Sequence, residues 1–367
     1  MKILFITHDM DSGGAARSLL VLVQRIAELG HNIEIVSLVE PRKDRSPWLT
    51  YESLNIPVHV APYPWIPLAY VGCRYYPKKY DMHYRMVFSK TVELMKGFRP
   101  DTVCFNGYPS TSLAPHITAK RKVLIAREVF TADSPLFKSA VGHLRRNIDF
   151  AIAIGPVEAK QLDEIGIQNE IIFNTANERP AFSDFGTFPP INFGCFGNML
   201  EVKGQANLIV ASVAIRDHLR KSNAFVHIYG AGDSSYMQNL SDFIRQQDVE
   251  DIVRLEGWTN NVEQAMRDMH CIIRPDLTGS PWGRDVIEAM SMGRPMLATG
   301  SVDVFVKPER TGWLVPPDDP TALANQMLFL LRSPQLLPLA GRAAFAFAAE
   351  NFDPLLNAKK IIQILNG

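Results

Sequence analysis

Residues 191–209 read INFGCFGNMLEVKGQANLI. The apolar run 191–196 stops at Gly197-Asn198, and Lys203-Gly204 opens a helical pattern a few residues later. A buried strand that ends on glycine and hands over to a helix is half of a βαβ unit, and its turn leaves backbone N–H groups facing the positive end of a helix. Outward from that stretch the alternation continues. Strands are predicted at 225–229, 252–255, 271–274 and 295–298, with helices starting at Lys203, Ser235 and Asp285. Towards the N-terminus the same order recurs, with strands at 3–7, 33–38, 102–105, 123–126 and 150–154 and helices at 15–29 and 84–96. Strands and helices that alternate in this way make a parallel sheet with crossover helices, so the class is α/β. Between the two series, residues 174–190 hold Pro180, Pro189, Pro190 and Gly186 with no amphipathic period, which marks a linker.

The 367 residues are enough for two domains with sizeable cores. Lys+Arg (38) balance Asp+Glu (38), and 47% of the residues are hydrophobic, which argues against a disordered chain or a polycation that coats nucleic acid. Cys73, Cys104, Cys195 and Cys271 lie far apart with no C-x-x-C pair, so a disulfide framework or a zinc site is not expected, and a reducing cytoplasm fits. No stretch approaches the ~20 apolar residues of a membrane-spanning helix.

Charge is shared unevenly. Residues 1–172 carry 21 Lys+Arg against 17 Asp+Glu, and the remainder carries 17 against 21. Within the first half, Arg74, Lys78, Lys79, Arg85, Lys90, Lys96 and Arg99 face only Asp81 and Glu93 over residues 74–99. Just before them and at their start come Tyr63, Trp65, Tyr70, Tyr75 and Tyr76. Aromatics beside basic residues suit contact with an anionic bilayer surface, but an aromatic-packed loop beside a solvated helix face is the favoured reading of the two.

Two glycine turns carry the chemistry. In the first, Ser12-Gly13-Gly14-Ala15-Ala16 follows the first strand; it is not G-x-G-x-x-G, so a dinucleotide site is disfavoured. In the second, Lys203 stands where it can neutralise phosphate. Further on, Ser280-Pro281-Trp282-Gly283-Arg284-Asp285 precedes a helix, and Glu288 one turn in can accept hydrogen bonds from a ribose diol. Asp9-Met10-Asp11 resembles the D-x-D of metal-dependent transferases, but it follows a first-domain strand and reads better as a loop that touches an acceptor through His8 or Asp11.

Taken together, GGAARSLLVLVQRIAELGH, FGCFGNMLEVKGQANLI, VHIYGAGDSSYMQNL, VRLEGWTNNVEQAM, SPWGRDVIEAMSMGRPMLATG and TGWLVPPDDPTAL resemble the retaining GT-B glycosyltransferases of the group often called family 4. The resemblance implies two facing Rossmann-like domains with an interdomain cleft: an acceptor domain at 1–173, a linker at 174–190, a donor domain at 191–350, and a C-terminal helix at 351–367 that packs back on the first domain. It implies a donor that is a UDP-, GDP- or dTDP-sugar, no bound metal, and a saccharide or lipid-linked saccharide as acceptor. The sugar is expected to move with retention, in cell-surface polysaccharide synthesis at the inner face of the membrane. Lys203, Glu288 and Arg127 are its catalytic positions. Gly13, Gly14, Asn198, Ser280, Trp282, Gly283, Arg284 and Asp285 would join Lys203 and Glu288 around the donor, and Gly257 and Trp258 would meet the nucleobase. Asn174 stands where the family usually has an Asn-Gly pair opening the linker.

Three positions depart from the family pattern. Asn198 replaces an arginine, Ser280 replaces the first glutamate of Glu-x7-Glu, and Arg127-Glu128 falls where many members carry a histidine. Arg284, Arg274 and Arg127 are candidates to restore the charge, and Asp285 or Asp276 the carboxylate. A nucleotide-sugar epimerase on the same fold, and a non-catalytic sugar-nucleotide or glycan-binding protein, are the competing readings.

Overall fold

The computed structural model describes residues 1–8, 10, 14–40, 45–61, 89, 91–129 and 137–367. The chain divides into two compact units, Met1–Thr175 with Pro354–Gly367 (unit 1) and Ala176–Asp353 (unit 2).

Unit 1 is built on a parallel sheet of seven strands: β1 (Lys2–Thr7), β2 (Asn32–Ser37), β3 (Val58–Val60), β4 (Thr102–Asn106), β5 (Arg121–Ala126), β6 (Phe150–Ala153) and β7 (Asn169–Ile171). Their spatial order is β3-β2-β1-β4-β5-β6-β7. The sequence KILFIT of β1 shows why the sheet is parallel and central. Ile3 and Phe5 enter one core cluster while Leu4 and Ile6 enter another, so both faces are covered and the strand reads as a nearly continuous apolar run. Helix Gly14–Glu28 turns Leu19, Val23 and Ile26 onto the first of those faces. Beside it lies helix Pro354–Asn366, which adds Ala358, Ile361, Ile364 and Leu365 to the same core. Two bonds tie that helix down, Thr102 Oγ1 to the Leu365 carbonyl (2.8 Å) and Asn357 Nδ2 to the Phe173 carbonyl (3.0 Å).

Unit 2 holds β8 (Ile191–Phe196), β9 (Ala224–Tyr229), β10 (Val253–Gly257), β11 (Cys271–Arg274), β12 (Met296–Thr299) and β13 (Gly312–Val315), all parallel in the order β10-β9-β8-β11-β12-β13. In each unit the crossovers run outwards from the first strand, then jump back beside it. The switch point therefore lies between β1 and β4 in unit 1 and between β8 and β11 in unit 2. Open parallel sheets bind ligands at the carboxyl ends of their strands at this point.

The stretch 174–190 is not loose over its whole length. Ala181 N–H donates to the Ser291 carbonyl and Ser183 N–H to the Met292 carbonyl. Phe182 covers Gly293 and Phe185 covers Gly341, where any Cβ would collide with the rings. The fully buried Arg294 guanidinium donates to the carbonyls of Ser183, Asp184 and Arg267 and lies 4.6 Å from the Phe185 ring centroid. Burial, then Arg267, lowers its pKa to about 10, so it stays charged at neutral pH. An extended strap fastened by side chains and two backbone bonds has no periodicity to show in sequence.

Candidate functional site

The switch point of unit 2 is assembled by a close approach of two loops. Gly204 adopts φ +71° and lies against the carbonyl of Pro275, in the space a Cβ would need. Only glycine fits both the left-handed backbone and the contact. Leu277 N–H adds a bond to the Val202 carbonyl (2.9 Å). The loop after β8 thus rests on the loop after β11, and Lys203 Nζ meets Asp276 Oδ2 at 2.8 Å.

Asp276 is 1% exposed, while the Lys203 side chain is 34% exposed. Thr278 donates to Asp276 Oδ1 from its backbone N–H (3.0 Å) and from its hydroxyl. Burial pushes the Asp276 carboxyl up, but the Lys203 ammonium and the Thr278 donors outweigh it and hold the group below the usual carboxylate range.

Arg274, at the end of β11, is the organising cation. Its Nη1 lies 2.6 and 2.7 Å from the two Asp285 oxygens, its Nε donates to the Ser280 carbonyl (2.8 Å), and its Nη2 lies 3.4 Å from Asp276. Gly283 makes room, since a Cβ there would come within 2.7 Å of Arg274 Nη1. Arg274 is thus paired with Asp285 and Asp276 in this structure. Arg284 gives Nη2 to Glu288 (2.7 Å) and to Asn177 (2.8 Å). Lys203, Arg274 and Arg284 each sit against one of Asp276, Asp285 and Glu288, so the site is electrically balanced.

What remains open for an anion are Arg284 Nε and Nη1, which are buried with no hydrogen-bond partner, and backbone donors. Helix Gln205–Ala214 starts from Gly204 and helix Arg284–Ser291 from Gly283, and neither has a side-chain cap, so both N-termini present N–H groups at the switch point. Ser280, Trp282, Gly283, Arg284, Asp285 and Glu288 are gathered on or just before the second of these helices. Asn198 is exposed, and its carbonyl accepts from Gln205 Nε2 (3.0 Å). Gly257 ends β10, two strands from β8, and Trp258 follows it. Trp258 is 62% exposed and its indole N–H donates to Asn260 Oδ1 (2.9 Å).

Arg127 belongs to unit 1. It gives Nε to Asn106 Oδ1 and Nη1 to Asn174 Oδ1 (2.7 Å), which ties the ends of β4 and β5 to the residues that follow β7. Gly14 opens the first helix with nothing near its Cβ direction, whereas Asp9, Asp11, Ser12 and Gly13 lie outside the described residues. Also outside them are residues 62–88 and 90, which carry most of the basic and aromatic stretch. Among the described residues, no helix is long and apolar enough to cross a membrane, and no three His, Cys, Asp or Glu side chains converge as a metal site.

Sequence reasoning noted Glu128 only as a neighbour of Arg127 at the family's histidine position, and passed over Glu158. Glu128 follows β5 and accepts from Tyr108 N–H (3.0 Å); its carboxyl packs on Gly107, whose φ is +91°. Glu158 is 7% exposed, against Gly155. Burial raises both pKa values, and for Glu158 the nearby Glu128 adds to the rise. A carboxyl whose folded pKa is raised stabilises the fold below its unfolded value, and that contribution is lost as pH climbs through the folded value. Glu128→Gln is expected to keep the Tyr108 bond and to melt progressively closer to, or above, the native chain between pH 4 and 8. A melting difference that stays flat over that range would mean that Glu128 ionises as freely in the fold as in the unfolded chain.

Comparison with known proteins places residues 190–333 in a match to the family model "Glycosyl transferases group 1". The Escherichia coli (strain K12) protein named as the colanic acid biosynthesis glycosyltransferase WcaL is 27% identical over 236 residues, 59% of this chain and 56% of that protein. Its Salmonella typhimurium counterpart is 28% identical over 148 residues, 38% of this chain and 35% of that one. The chain thus matches about half the length, or less, of these curated relatives. Among solved structures, Anabaena HepE in complex with UDP superposes with a TM-score of 0.77 at 18% identity, covering 100% of both chains. Sucrose-phosphate synthase from Thermosynechococcus elongatus gives 0.74 at 17% identity, covering 99% of this chain and 98% of that one. At such identities the likeness speaks for the fold, two parallel-sheet Rossmann-like units as in GT-B glycosyltransferases.

Proposed function

We propose that the protein is a glycosyltransferase whose unit 2 binds a nucleotide diphosphate sugar and whose reaction moves the sugar, with retention, onto an acceptor hydroxyl. One observation carries the reading: the stretch that matches the glycosyltransferase family, 190–333, contains the switch point at which Lys203 and two uncapped helix N-termini stand together. Those groups suit the charge that grows on a diphosphate as its bond to the sugar breaks. Glu288 would exchange part of its Arg284 contact for the ribose diol, and the exposed Trp258 would flank the base. The positive charge needed comes from Lys203 and the helix ends, so no metal is assigned a role. UDP is the favoured nucleotide, because HepE binds it.

A second reading, a sugar-nucleotide binder without catalysis, is favoured by Asn198 and Ser280 together with the internal neutralisation of Arg274. Calorimetry and sugar release with a panel of UDP-, GDP- and dTDP-sugars separate the two. Binding with slow hydrolysis supports the transferase, binding alone the second reading, and no binding to any of them rejects both. The acceptor is proposed to be a saccharide of a cell-surface polysaccharide, extended on a lipid at the inner membrane face. Co-sedimentation with anionic vesicles at low salt is expected; equal recovery in the supernatant with and without anionic lipid would remove the lipid from the proposal.

A further inference from the structure

Lys203 and Asp276 are unequal partners. Asp276 cannot easily move: it is 1% exposed, and Thr278 holds its Oδ1 through two donors. Lys203 can. It ends a three-residue 3-10 segment, Glu201–Lys203, and a third of its side chain is exposed. The other cation near Asp276, Arg274, is 3.4 Å away and is committed to Asp285 at 2.6 Å, so Lys203 supplies the main counter-charge. With its carboxyl held below the ordinary range, Asp276 remains an anion throughout the neutral region.

We propose, on the reading of unit 2 as a nucleoside diphosphate site, that Asp276 is a built-in rival anion for Lys203. Ligand phosphate must draw the ammonium away from a fixed carboxylate that also repels it. Asp276 therefore weakens diphosphate binding and speeds the departure of the nucleotide, because Lys203 has a partner to return to. A residue needed only to align Lys203 would not have to be charged, and a neutral side chain of the same shape would serve.

The decisive variant is Asp276→Asn, which keeps shape and one acceptor oxygen and removes the charge. With UDP as the probe in calorimetry, Kd is expected to fall at least fivefold. In steady-state transfer or hydrolysis kcat is expected to drop while kcat/KM holds, since release becomes slower. Weaker binding than in the native chain, or a Kd within twofold of it, overturns the proposal and leaves Asp276 as a positioning residue. Thr278→Val guards against a variant that does not fold. It strips one donor from Asp276, leaves Lys203 the more firmly held, and is expected to bind UDP more weakly; tighter or unchanged binding counts against the proposal. If the native chain binds none of UDP, GDP or dTDP, the reading of the site itself has failed. If it binds one of them and Asp276→Asn does not tighten it, only the role of Asp276 is lost.

Discussion

Lys203→Ala is expected to weaken nucleoside diphosphate binding by ten- to a hundredfold. An ammonium bonded to phosphate contributes about 1.5–3 kcal/mol, and each 1.4 kcal/mol is tenfold in Kd. The substitution also strips Asp276 of its nearest counter-charge. Lys203 is 34% exposed, so water screens part of that pair, and the stability lost is expected to be about 1 kcal/mol, far less than for a fully buried bridge. Titration of UDP by calorimetry checks the affinity and thermal melting checks the fold. Affinity that survives within twofold would place the diphosphate elsewhere.

A larger effect on stability is expected from Arg274→Ala. Its side chain is 13% exposed, Asp285 is 11% exposed and Asp276 1%. Removing the guanidinium would leave the Asp285 carboxylate buried against an alanine, take the second cation from Asp276 and free the Ser280 carbonyl. Breaking a buried pair from one side costs about 3–5 kcal/mol, roughly 6–20 °C of melting temperature for a domain of about 180 residues. The double variant Arg274→Met with Asp285→Leu removes both charges and is expected to recover much of that loss. A single variant that melts within about 2 °C of the native chain would show that this ion pair does not hold the loop.

Both effects depend on pairings that the sequence does not announce. Lys203 and Glu288 stand out by residue type and position, but Asp276 becomes the partner of Lys203 only because Gly204 lets one loop lie on the Pro275 carbonyl, 71 residues away. Arg274 shows the same limit. Its position in a strand is legible and its charge suggests a ligand, yet three acceptors from the following loop and helix consume it. The fold was easier to read, because runs such as KILFIT and INFGCF are apolar on both faces and can only be central parallel strands. The strands β3, β7 and β13 escaped for the opposite reason: all three are sheet edges of three or four residues, too short to show a pattern. The segment Tyr108–His116 was likewise hidden, since Pro109 and Pro115 interrupt any α-helical period and the chain adopts a 3-10 helix. In the sequence Glu128 shows only beside Arg127 at the family's histidine position; its burial beside Gly107 is created by packing alone.

Helix Pro354–Asn366 fills the core of unit 1 although 178 residues of unit 2 are translated in between. Ribosomal synthesis usually lets the earlier domain fold first. In this chain the core of unit 1 can be completed only after unit 2 has been made. Residues 176–353 form one unbroken stretch and can reach their final packing as soon as they emerge, while the nascent first unit waits with the surface around Ile3, Phe5 and Leu19 uncovered until residues 354–367 leave the exit tunnel.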